Sequence, residues 1–275
     1  VPEGHPAVNV ALHRGKWPFI RGGRYKVGES DIHCTAVALT RDVDAGDELI
    51  YSYGDASTTG FVLKFGAVPT PLDWRNPNEE VDLLVGYDGG GDAPDVRQLR
   101  EKALRSFGLQ PEEMSLSLSE EELGADDAST DDDEGDDEGG LAAVRLYGML
   151  RAGGEPFLRA CLRAAERGLG LSNGTRSIHA EISEMQEDIR PAPEALGRQL
   201  VEMVDANLRR LPTSSTARDR EALAKEDVSP LAVVALGARV RQREQLLRWR
   251  VRFCKEYGLP ASAGETSLDV QTLQD

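Results

Sequence analysis

The sequence predicts an α+β protein, with a β-rich stretch over residues 1–72 and a mainly helical remainder over residues 73–275. Three observations carry this reading. Residues 33–40 concentrate β-branched and small apolar side chains, and beyond a turn Leu49, Tyr51 and Tyr53 alternate along one strand face. From Val96 onward the apolar residues recur instead at the three- and four-residue spacing of a helix. Between residues 112 and 138 lie 14 acidic residues and no Lys or Arg, so a charged segment interrupts the helical part.

In chain order, Gly22-Gly23 marks an early turn, and Asp44-Ala45-Gly46-Asp47 supplies the turn between the strand at 33–40 and the strand at 48–53. Residues 73–94 read as a proline- and glycine-rich connection with a short apolar stretch at 81–85. Its Gly89-Gly90-Gly91 lacks the spacing of a nucleotide-binding loop and reads as a plain loop. Val96, Leu99, Ala103, Leu104 and Phe107 then mark one helix face. Residues 115–140 carry too little apolar surface to offset their ordering entropy, which predicts a disordered acidic insertion in a surface loop rather than an interaction tail. Helices come next at 141–150 and 157–169, parted by Gly153-Gly154, and at 193–211, where Leu196, Leu200, Val204, Leu208 and Leu211 share a face. The last helix has Ser229 as N-cap, Pro230 in its first position and Gly258-Leu259-Pro260 as its stop. Its arginines 239, 241, 243, 248, 250 and 252 are scattered around the helix, which predicts a solvated surface and not a nucleic-acid stripe.

The net charge of −16 belongs mostly to the acidic segment, because the other 34 acidic residues nearly balance 32 basic ones. That balance and a pI near 4.8 argue against a nucleic-acid partner. No apolar run approaches the ~18 residues that span a bilayer, so no membrane partner is expected. Cys34, Cys161 and Cys254 are few, odd in number and far apart, as in a reducing intracellular compartment: cytoplasm, nucleus or chloroplast. Asn173-Gly174-Thr175 matches a glycosylation sequon, with nothing else to suggest secretion. His33 beside Cys34 makes a poor chelate, since neighbours on a strand point to opposite faces. No nucleophile–base pair, metal cluster or phosphate loop stands out among His5, His13, His179 and their surroundings. The residues by themselves lead only to a β-rich module, an acidic loop and a helical module.

Two motifs go further. The run from Leu39 to Gly54, with its Ala45-Gly46-Asp47-Glu48-Leu49 turn and its Tyr51-Ser52-Tyr53-Gly54 end, resembles the C-terminal motif of SET domains. The segment Ser57-Thr58 to Gly66 is similar to the next segment of that family, and the Tyr53-to-Gly66 spacing resembles the branch of Rubisco lysine and actin histidine methyltransferases. Some 150 residues later, Leu211-Pro212-Thr213-Ser214, Arg218-Asp219-Arg220-Glu221-Ala222-Leu223 and Ser229-Pro230 resemble the substrate-binding domain attached to this branch. The resemblance implies a SET-domain C-terminal portion at 1–72 and a helical substrate-binding domain at 73–275.

It also implies a protein N-methyltransferase that uses S-adenosylmethionine on a protein substrate, with lysine as the default acceptor and histidine as an alternative. Tyr53 takes the place of the catalytic tyrosine, and Tyr51 is the candidate beside the substrate. Phe65, Gly66 and Ala67 fall where the family holds its cofactor. Two positions depart from the pattern. Thr58 stands where the family has Asn, and Ala67 where an aromatic residue often offers a surface for adenine. Neither the N-terminal glycine strand nor the Asn-His pair of the family occurs, and residues 2–12 resemble the stretch just past that pair. The expectation is therefore a fragment with an incomplete cofactor pocket. A non-catalytic SET remnant acting as a protein-binding module is the alternative from another class.

Overall fold

The computed structural model describes residues 8–16, 33–50, 56–69, 75–87, 91–124, 139–168, 178–212, 215–225 and 227–260. The chain is α+β and divides into two compact units, Val1–Asn78 and Glu79–Asp275.

In the first unit β1 (Val10–Lys16) pairs antiparallel with β2 (His33–Leu39), Val10 opposite Leu39 and Lys16 opposite His33. The expected strand at 33–40 is thus present. A helix, α1 (Thr58–Phe65), comes next. Its N-cap is Ser57, whose hydroxyl accepts the Gly60 N–H at 3.2 Å, supplying one of the partners that the first helical turn lacks. Gly66 ends the helix in the left-handed region at φ 63°, where a residue with a Cβ is strained.

The second unit holds a two-stranded antiparallel sheet, β3 (Glu80–Val85) against β4 (Met114–Ser119), with α2 (Pro94–Ser106) between the strands in sequence. Both strands correct the sequence reading. The apolar stretch at 81–85 is not part of a loop, and residues 114–119 are not disordered. Val81, Leu83 and Val85 face the core from β3, and Leu116 and Leu118 face it from β4. This period-2 alternation is enough to order strands whose other faces carry Glu80, Asp82 and Leu84 on β3 and Ser115 and Ser117 on β4. The acidic insertion therefore begins later than residue 115, after the short helix α3 (Glu120–Gly124). Residues 125–138 lie outside the described residues.

Helices α4 (Gly139–Ala152), α5 (Glu155–Glu166), α6 (Ile178–Glu184), α7 (Pro193–Arg210), α8 (Thr216–Leu223) and α9 (Pro230–Glu256) complete the unit. One core joins α4, α5, α6, α7 and α9 to the sheet, with Leu104, Leu146, Phe157, Leu158, Leu200 and Trp249 fully buried in it. Burying each such side chain contributes about 2–3 kcal/mol before entropy is subtracted. The expected faces of α2 and α7 are the ones that pack, and Leu196, Leu200, Val204 and Leu208 are all buried. Close approach is set by glycine. A Cβ on Gly197 of α7 would lie 2.4 Å from the Tyr257 Cβ, and one on Gly148 of α4 would lie 3.0 Å from Leu196 and Leu200.

Two polar devices hold backbone groups that the helices and strands leave open. Arg100 of α2 is buried and donates to the carbonyls of Leu150 and Gly153, both at 2.8 Å, at the C-terminal end of α4. A cation there suits the negative end of the helix dipole. Asn207 of α7 serves the outer edge of β3: its Oδ1 accepts the Leu84 N–H at 2.9 Å and its Nδ2 donates to the Leu84 carbonyl at 3.1 Å. A strand edge that would otherwise be open is thereby capped.

Helix α9 begins as expected, with the Ser229 hydroxyl accepting the Ala232 N–H at 3.3 Å. Its arginines overturn the solvated-surface reading. Arg241, Arg243 and Arg250 are buried, Arg250 bonds Asp205 at 2.7 Å, and Arg248 bonds Glu120 at 2.8 Å. Arg252 donates to the Glu122 carbonyl and lies over the Trp249 ring. Burial pulls the Arg241 guanidinium below its ordinary range, and the charges of Glu79 and Glu244 oppose that shift. A long helix packed against several elements meets carboxylates and carbonyls between its apolar contacts, so scattered arginines find partners from α3, α7 and α8 rather than water.

Candidate functional site

The turn expected at Asp44 to Asp47 is formed, with the Asp47 N–H donating to the Asp44 carbonyl at 3.1 Å and Gly46 at φ 99°. A positive φ at the third turn position is the reason glycine stands there. Beyond the turn the backbone departs from expectation. Residues 48–50 are not in a strand ladder but are held by Asn9, one residue ahead of β1. Its backbone N–H donates to the Ile50 carbonyl at 2.9 Å, and its side-chain Oδ1 accepts the Ile50 N–H at 2.7 Å. Its Nδ2 donates to the Glu48 carbonyl at 2.9 Å, and its own carbonyl accepts the Thr40 N–H at 3.0 Å. An amide can donate and accept at once, which lets one side chain stand in for a strand partner. Asn9 is only 4% exposed, so leaving these groups unpaired would be costly. The clamp fixes the backbone immediately before Tyr51. Tyr51 and Tyr53, the substrate and catalytic candidates, lie outside the described residues.

The cofactor candidates fall together. Phe65, Gly66 and Ala67 form the C-terminal end of α1 and its cap. The Phe65 ring is 46% exposed and leans at 53° against the buried Phe61, centroids 5.3 Å apart. Among the described residues nothing lies within 4 Å of where a Cβ on Gly66 would stand. Ala67 is exposed and too small to present a stacking surface. Thr58 sits at the opposite end of the helix, about 10 Å away along the axis, and is buried. Asn76 supports this end by donating its amide to the Ala56 carbonyl at 2.8 Å.

The second motif lies in the other unit. Thr213 and Ser214 are outside the described residues, but Arg218-Asp219-Arg220 falls in α8, and each charged pair it makes is informative. Asp219 is 2% exposed and takes Arg239 of α9 in a two-point grip, Nε to Oδ2 at 2.8 Å and Nη2 to Oδ1 at 2.5 Å. Arg220 reaches Glu244 at 2.7 Å. The motif thus fastens the short α8 onto α9. Sequence reasoning assigned these residues no partner, because a carboxylate and a guanidinium 20 positions apart carry no local signature.

Other chemistry is limited. Among the described residues no three His, Cys, Asp or Glu side chains gather as a metal set, and no helix is long and apolar enough to cross a membrane. Burial pushes the Cys161 thiol up to about 12 and raises Cys254 as well, so neither is a thiolate at neutral pH.

No protein-family model and no curated protein matches the chain. Solved structures similar to it include the SET domain of LSMT bound to lysine and AdoHcy, at 16% identity and a TM-score of 0.46, covering 85% of this chain and 48% of that one. Another is Rubisco LSMT bound to sinefungin and monomethyllysine, at 15% identity and a TM-score of 0.47, covering 87% and 52%. A third is Rubisco LSMT bound to AdoMet, at 15% identity and 0.47, covering 87% and 51%. The chain spans about half the length of these structures.

Proposed function

We propose that this chain belongs to a protein N-methyltransferase that draws its methyl group from S-adenosylmethionine, with a lysine side chain of a protein substrate as acceptor. The observation that carries the reading is the Tyr-Ser-Tyr-Gly segment directly behind the Asn9-held backbone, followed by α1 and its left-handed Gly66 at a spacing that resembles the branch of Rubisco lysine and actin histidine methyltransferases. Bound S-adenosylmethionine supplies a sulfonium methyl to the lone pair of a neutral amine. The chain's residues then have separable tasks. Tyr53 orients the acceptor nitrogen with its hydroxyl, and Tyr51, two residues earlier, lines the acceptor's approach. Phe65 offers an exposed aromatic face suited to adenine, and the open backbone at Gly66 admits the cofactor closely. Ala67 adds contact without stacking. Positioning of this kind accounts for much of the rate in an in-line transfer.

A second reading, a protein-binding module without catalysis, is favoured by Thr58 and Ala67, which remove an amide and an aromatic ring from the family pattern. A histidine acceptor fits the same segment spacing. The test is transfer of radiolabelled methyl by the natural gene product to lysine- and histidine-containing proteins, with Tyr53→Phe alongside. The methyltransferase reading expects transfer that falls at least a hundredfold in Tyr53→Phe while the circular dichroism spectrum is kept. Absence of both cofactor binding and transfer would overturn it in favour of the binding module.

A further inference from the structure

Outside the SET-like unit, the helical unit contains a cavity of about 390 Å³ that the methyl-transfer reading does not use. It opens between the segment before α2, the end of α4 and the beginning of α7, and Tyr87, Asp92, Arg100, Arg151, Arg198 and Gln199 line it. Three guanidinium groups therefore meet one carboxylate, in a chain whose overall charge is −16.

The charges divide into a floor and a rim. On the floor Asp92 is already engaged: Arg100 pairs with it, Tyr87 donates its hydroxyl to it, and Arg100 also lies over the Tyr87 ring. Those three groups neutralise one another. On the rim Arg151 reaches the Gly86 carbonyl at only 3.5 Å, a poor hydrogen bond that leaves its donors available. Arg198 pairs with Glu194 one turn away at 2.6 Å, but both are well exposed, and such a surface pair is weak enough to exchange for a better partner. Gln199 adds an amide. Among the described lining residues Asp92 is the one carboxylate and Arg100 and Tyr87 already hold it, so the rim presents positive charge and planar donor forks to the cavity.

We propose that this cavity binds a carboxylate group. Guanidinium forks match carboxylate and phosphate oxygens equally in geometry. The choice between them rests on net charge: Arg100 and Asp92 cancel, and Glu194 beside Arg198 leaves the rim of Arg151 and Arg198 with a single positive charge, which suits a monoanion better than a dianion. The volume suits one acidic side chain with part of its backbone. This inference is independent of the methyl-transfer reading.

The test is an NMR titration of the 275-residue chain with glutamate blocked at both ends, blocked glutamine, inorganic phosphate and a short peptide bearing one Glu among Ala and Gly. Saturable shifts are expected with blocked glutamate and none with blocked glutamine. Arg151→Gln and Arg198→Gln, both at the rim and outside the core, should each weaken binding at least tenfold, and added salt should weaken it further. Tenfold tighter binding of the peptide assigns the carboxylate to a polypeptide, and equal affinity assigns it to a free acid; both support the site. Three outcomes overturn it: no saturation by blocked glutamate at about 20 mM, phosphate binding as tightly as the carboxylate, or binding unchanged in both arginine variants.

Discussion

In Glu79–Asp275 most buried residues belong to one apolar core, whereas in Val1–Asn78 two of the described buried residues, Asn9 and Asn76, are asparagines whose amides grip backbone groups. Leu200, Trp249 and Phe253 stand in one continuous core. Asn9 and Asn76, by contrast, are buried because their amides take the place of a strand neighbour or a helix partner. Apolar packing is distributed over many small contacts, so its loss at one point spreads through the unit. A single side-chain amide gripping the backbone of residues 48–50 is concentrated, so its loss is local. The difference bears on the candidate site, because the residues in front of Tyr51 depend on the second kind of support.

The comparison can be broken most severely at Asp219. Asp219→Ala leaves Arg239 partly buried without its carboxylate and should destabilise the helical unit by about 2–3 kcal/mol, at the low end for buried pairs because Arg239 keeps some exposure. Urea unfolding would read this as a shifted midpoint at constant slope. Gly197→Ala comes next. Its Cβ would press on Tyr257 and Leu259, for a cost of about 1–3 kcal/mol, again felt in the global midpoint. Asn9→Leu should cost about 1–2 kcal/mol, through the unpaired Ile50 N–H and Glu48 carbonyl. The contrast with the first two lies in its reach: hydrogen exchange should speed up at Ile50, whose N–H loses the Asn9 Oδ1, while amides of α7 and α9 keep their protection. Equal exchange changes in both units would erase the distinction.

The smallest effect at neutral pH, and the sharpest in its sign, belongs to Cys161. The unfolded thiol titrates near 9 and the folded one near 12, so between those values the unfolded chain binds fewer protons and stability falls as pH rises. Below that window the thiol contributes no pH dependence. Alkylation of Cys161 at pH 8 should therefore track global unfolding, and rapid labelling of the folded chain would contradict its burial.

The sequence was most legible where structure is local. Ser229-Pro230 announces α9, the heptad-like leucines announce α7, and Asp44-Ala45-Gly46-Asp47 announces its turn, because cap and turn chemistry is written in adjacent residues. Strands β3 and β4 escaped because their partners are separated by a helix and because β4 runs into an acidic block whose composition masks the alternation of Leu116 and Leu118. The arginines of α9 were misread for the related reason that their partners, Asp205, Asp219 and Glu120, come from three distant elements. Of the candidate site, Phe65, Gly66 and Ala67 are proposed from motif spacing. The Asn9 clamp was not, since its partners are peptide groups, which have no sequence identity to read.

Glu122 has a consequence for how this chain tolerates change. One of its carboxylate oxygens accepts the Ser119 N–H at 2.8 Å while the Ser119 hydroxyl accepts the Glu122 N–H, and its other oxygen accepts the Leu141 N–H at 2.7 Å. A single side chain thereby ties residue 119 to residue 141, across the whole stretch between α3 and α4. Anything inserted there begins and ends at the same knot. Lengthening such an insertion adds closure entropy only logarithmically, about 0.6 kcal/mol per doubling. Lineages can therefore vary the length and charge of that stretch with little penalty to the fold, and a laboratory can seat a fluorophore or an affinity handle in it on the same terms.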